Sequence, residues 1–241
     1  MAYTLGFVIA IAIGLTGVGA GTLTTPLLIL ALGVPARIAV GTSLIFGAVV
    51  KIITSPVYMA RGHVDWRTLF YMLGGGVPGV LIGVFLLRGV DGKIITGVIG
   101  ATIVVVAIFN LLRPSPEHRH DKTKWLALIA LPIGTEVGFS SAGAGALGAL
   151  SLLSLTKLVP AAVVGTDLVF GLVVSLIGGG VNAAMGTLDR AVLIQLLVGG
   201  VPGAVAGALL AGRLPSKQLR MGLSGAMALL GANLFYRGFI H

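Results

Sequence analysis

Gly14-Leu-Thr-Gly-Val-Gly-Ala-Gly-Thr-Leu-Thr-Thr-Pro26 lies in the middle of an apolar run that extends over residues 4–33. A helix needs about 20 apolar residues to cross a bilayer. The run is therefore too long for one straight span. The stretch inside it is rich in glycine, alanine and threonine, and such a stretch can divide a helix into two half-helices. The second half of the chain has a counterpart: Gly138-Phe-Ser-Ser-Ala-Gly-Ala-Gly145 interrupts another long apolar run, residues 125–156. Unwound backbone at membrane depth is tolerated only where it is buried in protein or lines a wet cavity. Both runs are read as re-entrant hairpins of two half-helices, with a long tilted helix as the competing reading.

Six further apolar runs, residues 38–60, 68–87, 94–112, 159–185, 191–212 and 219–238, have the length of full spans. They are too long and too uniformly apolar for barrel strands, which alternate and cross with about ten residues. The predicted fold class is an all-α polytopic membrane protein. Composition agrees. Of the 241 residues, 56% are hydrophobic, 38 are glycine, none is cysteine and only 10% are charged, against roughly 25% in an ordinary soluble domain. This excludes a soluble enzyme, a disordered chain and a disulfide-stapled secreted domain. The formal net charge is +9, but the basic residues fall in the gaps between runs, where membrane topology places them. No nucleic-acid partner is expected. Residues Met1 to Leu5 lack the basic region of a cleavable signal peptide.

Shifted by 124 positions, the sequence matches itself. Val40-Gly-Thr-Ser-Leu-Ile-Phe-Gly47 falls on Val164-Gly-Thr-Asp-Leu-Val-Phe-Gly171, Asp65 on Asp189, and Gly75-Gly-Val-Pro-Gly79 on Gly199-Gly-Val-Pro-Gly203. Residues 39–83 and 163–207 share 21 identities in 45 ungapped positions. The polar segment Arg113-Pro-Ser-Pro-Glu-His-Arg-His-Asp-Lys-Thr-Lys124 is the seam. The expected organisation is a first membrane repeat at 1–112, a linker at 113–124 and a second repeat at 125–241. With both first runs re-entrant, the basic loop residues divide 10 to 5 between the two sides. That is a usable positive-inside bias, and it makes the repeats inverted. Internal duplication of this kind is the usual plan of secondary transporters, with substrate held between the halves.

Half-helices that end inside the membrane present free N–H groups and the positive end of a dipole, which suits an anion without any lysine. Gly17, Gly19, Gly21, Gly143 and Gly145 allow close backbone approach there, and Thr22, Ser140 and Ser141 add hydroxyls. Thr42, Ser43 and Thr166 supply further hydroxyls from the neighbouring repeat motifs. The glycines at 75–83 and 199–207 are read differently, as close helix packing. Three ionisable residues interrupt the apolar runs: Lys51, Glu136 and Asp167. Intramembrane charge is costly and is a functional candidate by default. Asp167 and Glu136 are the candidate proton-coupling groups, and Lys51 the charge partner of one of them. A structural ion pair is the competing role for Lys51 and Glu136.

Enzyme readings find no support. His63, His118, His120 and His241 all lie in gaps or at the terminus, so none can activate an intramembrane serine. No cluster has metal-ligand spacing, and Gly17-Val-Gly-Ala-Gly has no strand-turn-helix setting for a dinucleotide. No catalytic residue, metal or cofactor is expected.

The stretch from Gly14 to Pro26 with Leu27 and Leu28, followed by Ala39-Val-Gly-Thr-Ser-Leu44, resembles the sulfite exporter TauE/SafE family. The second copy, Gly138 to Gly145 and Val163 to Leu168, resembles that family's second repeat, and the paired Gly-Val-Pro-Gly motifs at 76–79 and 200–203 fit its duplicated layout. The resemblance implies a permease of a bacterial or archaeal inner membrane that exports sulfite, sulfoacetate or a related organosulfonate, with proton coupling. This chain departs from the pattern at Ala20, at Ala144, at Leu150 in place of a proline, and at Asp167 in place of a serine. The expected partners are a small anionic substrate and the lipid bilayer. An anion channel and a non-transporting scaffold are the alternatives; the lack of a pore-lining charge ring weighs against the first, and the lack of large soluble loops against the second.

Overall fold

The computed structural model describes residues 1–16, 20–111, 122–143, 145–210 and 216–239. These residues form ten α-helices: α1 (Ala2–Thr16), α2 (Ala20–Leu32), α3 (Ala36–Ala60), α4 (Trp66–Gly89), α5 (Gly92–Leu111), α6 (Leu126–Ser140), α7 (Leu147–Leu155), α8 (Pro160–Ala184), α9 (Arg190–Leu210) and α10 (Ser216–Phe239). No strand occurs among the described residues. Both long first runs are divided, one between α1 and α2 and the other between α6 and α7. The divisions fall on the glycine-rich stretches.

Five helices, α3, α4, α5, α8 and α9, are long and apolar enough to cross a membrane. Six full spans were expected. The sixth, α10, has 24 residues but carries Lys217, Gln218, Arg220, Asn233 and Arg237, which lower its hydropathy. The most apolar windows of α3 and α8 are 72% and 61% buried, against 39–44% for α4, α5 and α9. The first two helices therefore form the centre, and the others face outward.

The helix ends repeat with the same 124-residue spacing. Asp65 caps α4 by accepting from the Thr68 N–H at 2.8 Å, and Asp189 caps α9 by accepting from the Val192 N–H at 3.0 Å. Each carboxylate satisfies one of the helix's orphan donors. Beyond the C-termini of α3 and α8, Gly62 and Gly186 take positive φ values of 70° and 72°, where a side chain would be strained.

Packing runs between the halves. Helix α4 lies along α6, with Gly75, Gly79 and Gly83 against the carbonyls of Ala127, Leu131 and Thr135. Helix α1 lies along α9, with Gly199, Gly203 and Gly207 against those of Tyr3, Phe7 and Ile11. Partner numbers rise together in both pairs, so each pair is parallel. A Cβ at any of these six glycines would press on backbone of the opposite helix. Close packing is therefore their role, as the sequence reading held. The corresponding helices α3 and α8 run antiparallel. Gly41 lies against Thr187, Gly179 against Ile45, and Gly165 against His63. Helices α5 and α10 are also antiparallel, with Gly97 against Phe239 and Gly100 against Phe235.

Candidate functional site

The two divisions are brought together by α2. This helix runs back along α3, where a Cβ at Gly47 would come 2.6 Å from the Ala20 Cβ. Gly21, in the first turn of α2, lies directly against Ser141 of the second division; any Cβ there would overlap the Ser141 carbonyl and hydroxyl. One turn further, the Thr25 and Ser141 hydroxyls are hydrogen-bonded at 3.0 Å. Thr22, Thr24 and Thr25 are fully buried. Gly17 and Gly19 lie outside the described residues.

The second division is held by local hydrogen bonds. Ser141 takes a left-handed conformation, φ 64°, and its N–H donates to the Val137 carbonyl at 2.9 Å, which ends α6. The Ser140 hydroxyl donates to the Glu136 carboxylate and accepts from the Ala142 N–H at 3.0 Å. Thr102 of α5 also bonds that carboxylate. Gly143 faces Glu136, and its carbonyl accepts from the Leu147 N–H at 3.1 Å as α7 begins. Gly145 has φ 101°, which only glycine adopts without strain.

Asp167 stands on α8, 2% exposed, with Oδ1 against Gly148 in the first turn of α7. Its repeat counterpart Ser43 stands on α3, 1% exposed, and the Ser43 Oγ has no hydrogen-bond partner. Lys51 is 3% exposed, and its Nζ donates to the Ser175 Oγ at 3.2 Å. Ser175 is the residue that corresponds to Lys51 in the second repeat. The buried Asp167 carboxylate on α8 lies near enough to act electrostatically on Lys51 across the α3–α8 interface. Two buried opposite charges tolerate a low-dielectric interior far better than either alone.

Thr42 and Thr166 lie elsewhere. The Thr166 hydroxyl accepts from the Asp65 N–H at 2.9 Å, and the Thr42 hydroxyl accepts from the Asp189 N–H at 3.1 Å. Each threonine thus docks the loop that follows the other half's central helix. Gly21, Thr22, Ser140, Ser141, Gly143 and Gly145 are gathered around the two divisions, with Glu136 against Gly143 and Asp167 against Gly148, while Ser43 is buried on α3 one turn before Gly47. Thr25 and Ser175 gained specific roles only from the fold. Among the described residues no group of three or more His, Cys, Asp or Glu side chains could hold a metal ion.

The chain matches the family model for the sulfite exporter TauE/SafE over residues 2–234. It is 26% identical over 247 residues to a probable membrane transporter protein, YjnA, of Bacillus subtilis strain 168, covering 95% of this chain and 97% of that relative. It is 28% identical over 226 residues to a probable membrane transporter protein of Xylella fastidiosa strain Temecula1, covering 88% of this chain and 85% of the relative. No solved structure gives a significant match. A divided, duplicated helical bundle with a family match over nearly its whole length leaves one conclusion: the chain belongs to the sulfite exporter TauE/SafE family and is a multi-pass membrane transporter.

Proposed function

We propose that this protein is a secondary transporter that exports a small sulfur-containing oxyanion, such as sulfite, sulfoacetate or a similar organosulfonate, across a prokaryotic inner membrane. The observation that carries the reading is the meeting of the first turn of α2 with Ser141 of the second division. Helix-start N–H groups, a positive dipole end and hydroxyls converge there inside an apolar bundle, which is how an anion is held without a dedicated cation. Gly17 and Gly19, which precede α2, and Ser140, Gly143 and Gly145, which shape the second division, belong to the same proposed site. Thr42 and Thr166 contribute by docking the loops that hold α3 and α8 in place.

Two inverted repeats provide the alternating access. Supporting this, the corresponding pairs α3 with α8 and α5 with α10 run antiparallel, while the exchanged pairs α1 with α9 and α4 with α6 run parallel. Asp167 and Glu136 carry the coupling proton, and Lys51 balances Asp167. Both carboxylates lie against the second division, so a change in their charge acts on the substrate's immediate surroundings.

Anion binding to the detergent-solubilised protein tests the proposal. A ligand that binds only the folded state raises its apparent melting temperature in a concentration-dependent way. Sulfite, sulfoacetate or thiosulfate is expected to raise it and choline not. Identical melting in all of them would contradict the reading.

A further inference from the structure

The chain's two tryptophans stand at one end of the α4–α6 pair. Trp66 opens α4 and is 49% exposed; Trp125 closes the 3₁₀ turn Thr123–Trp125 that leads into α6 and is 59% exposed. The two helices are parallel and the turn packs on α4, so both rings belong to the same end of the bundle. Helix α7 returns to that end, where the Lys122 N–H donates to the Leu155 carbonyl at 2.9 Å. Arg67, Lys122 and Lys124 are exposed there, and among the described residues no carboxylate pairs with them. The neighbouring Asp65 is turned onto the Thr68 N–H as the cap of α4. Beside α4 a groove opens, lined by Arg67, Phe70 and Tyr71. One turn after Phe70, on the same face of the helix, Gly74 is exposed and has nothing within 4 Å of its Cβ direction. The apolar surface therefore has a gap next to the Phe70 ring.

We infer that this groove holds one anionic phospholipid of the surrounding bilayer, with its phosphate on Arg67, Lys122 and Lys124 beside it, and an acyl chain over Gly74. The inference is independent of which anion the protein transports. Charge complementarity selects the headgroup: an arginine fork matches phosphate oxygens, and each basic residue near the membrane surface adds attraction for anionic lipid. Aromatic side chains settle at headgroup level, which places the groove at the depth where a lipid phosphate lies. The apolar gap at Gly74 continues towards the bilayer core, so the surface fits an amphipathic anion better than a soluble one. The second repeat shows that packing alone does not require these residues. Its α9 keeps the buried glycine seam of α4, yet has Ala191 for Arg67, Ile194 for Phe70 and Gln195 for Tyr71. In place of Gly74 it has Val198, whose 60% exposed side chain occupies the gap. The shared seam holds both helix pairs together, and the residues that differ are the ones that make the groove.

Both tryptophans flank the groove, so their fluorescence reports its occupant. The full-length protein is reconstituted into phosphatidylcholine vesicles that contain a minor share of either brominated phosphatidylglycerol or brominated phosphatidylcholine, whose bromines quench tryptophan on contact. Stronger quenching by the phosphatidylglycerol is expected for the native protein. Arg67→Ala, which copies the second repeat's residue, should lower the relative binding constant about fivefold, the worth of one basic residue at the membrane surface. Adding Lys122→Ala and Lys124→Ala should abolish the preference, and Gly74→Val, which closes the gap, should reduce quenching by the phosphatidylglycerol. Arg190→Ala, at the corresponding end of α9, should leave the preference unchanged. Excess glycerol phosphate or sulfite should not displace the lipid. Equal quenching by the two brominated lipids, or a preference that survives the triple substitution, would overturn the inference. Displacement by glycerol phosphate would also overturn it, showing a site for soluble phosphate instead. Failure of sulfite transport would leave these outcomes unchanged, so the two readings stand or fall separately. Arg67, Lys122 and Lys124 are exposed, and a native-like melting profile establishes that each variant is folded.

Discussion

Gly74 and Gly75 are neighbours in α4, yet a single methyl group should have opposite effects at the two positions. A Cβ at Gly75 would lie 2.9 Å from both the Ala127 carbonyl carbon and the Leu131 nitrogen, and closer still to the Ala127 oxygen. Ordinary heavy-atom contacts are about 3.5–4 Å, so α4 and α6 would have to part by about 1 Å. Gly79 and Gly83 lie on the same seam, and parting it loosens their contacts too. Overpacking of this kind costs about 1–3 kcal/mol, and backbone on both sides of the contact puts Gly75→Ala at the upper end. Gly74 has nothing within 4 Å of where its Cβ would go. There the substitution gains up to about 1 kcal/mol of helix propensity. The second repeat already contains the comparison: Gly75 corresponds to Gly199, which is pressed against Tyr3, whereas Gly74 corresponds to Val198, whose side chain is 60% exposed. The assay is temperature-dependent loss of the monodisperse peak in detergent. Gly75→Ala and Gly199→Ala are expected to melt well below the native protein, and Gly74→Ala at or above it. If Gly75→Ala melted with Gly74→Ala, the parallel α4–α6 seam would be wrong.

The loop-docking threonines give a second test. Thr166→Val and Thr42→Val each remove the acceptor of a loop N–H and should each cost about 1–3 kcal/mol. The two effects should add, because each bond involves a different pair of elements, and thermal melting of the single and double variants checks this. For the buried charges, Lys51→Met alone leaves Asp167 uncompensated and should cost about 3–5 kcal/mol. Lys51→Met combined with Asp167→Asn should recover most of that loss in the same melting assay. In proteoliposomes, Asp167→Asn is expected to retain anion exchange and to lose acceleration by an imposed pH gradient. Unchanged pH dependence would remove Asp167 from proton coupling.

Much of this architecture was legible in the sequence because its signals are local or periodic. Run length exposed the two divided helices, since 30 apolar residues exceed what one straight span needs. The 124-residue repeat identified which helices correspond, and the glycines at 75–83 and 199–207 were legible as packing surfaces because small residues recur there at helical spacing. The side chains' partners were less accessible. Thr42 and Thr166 read as hydroxyls for a ligand because they adjoin Ser43 and Asp167. Only the fold shows loops 147 and 101 residues away turning back onto them. Lys51 had two acidic candidates in the sequence, whereas its hydrogen bond in the fold is to Ser175, 124 residues away. Thr25 and Ser141 are 116 residues apart, and nothing in either stretch marks the other as its partner. The reduced hydropathy of α10 reflects polar residues at both of its ends, which a search for long apolar runs passes over.

Substrate counterflow addresses the transport mechanism directly. Proteoliposomes preloaded with unlabelled sulfite and placed in trace radiolabelled sulfite should accumulate label transiently and saturably, because one alternating site carries anion in both directions. Label entry that rises linearly with concentration and is unaffected by the internal load would show an open channel. Entry no faster than into protein-free vesicles, for sulfite, sulfoacetate and thiosulfate alike, would contradict oxyanion transport itself.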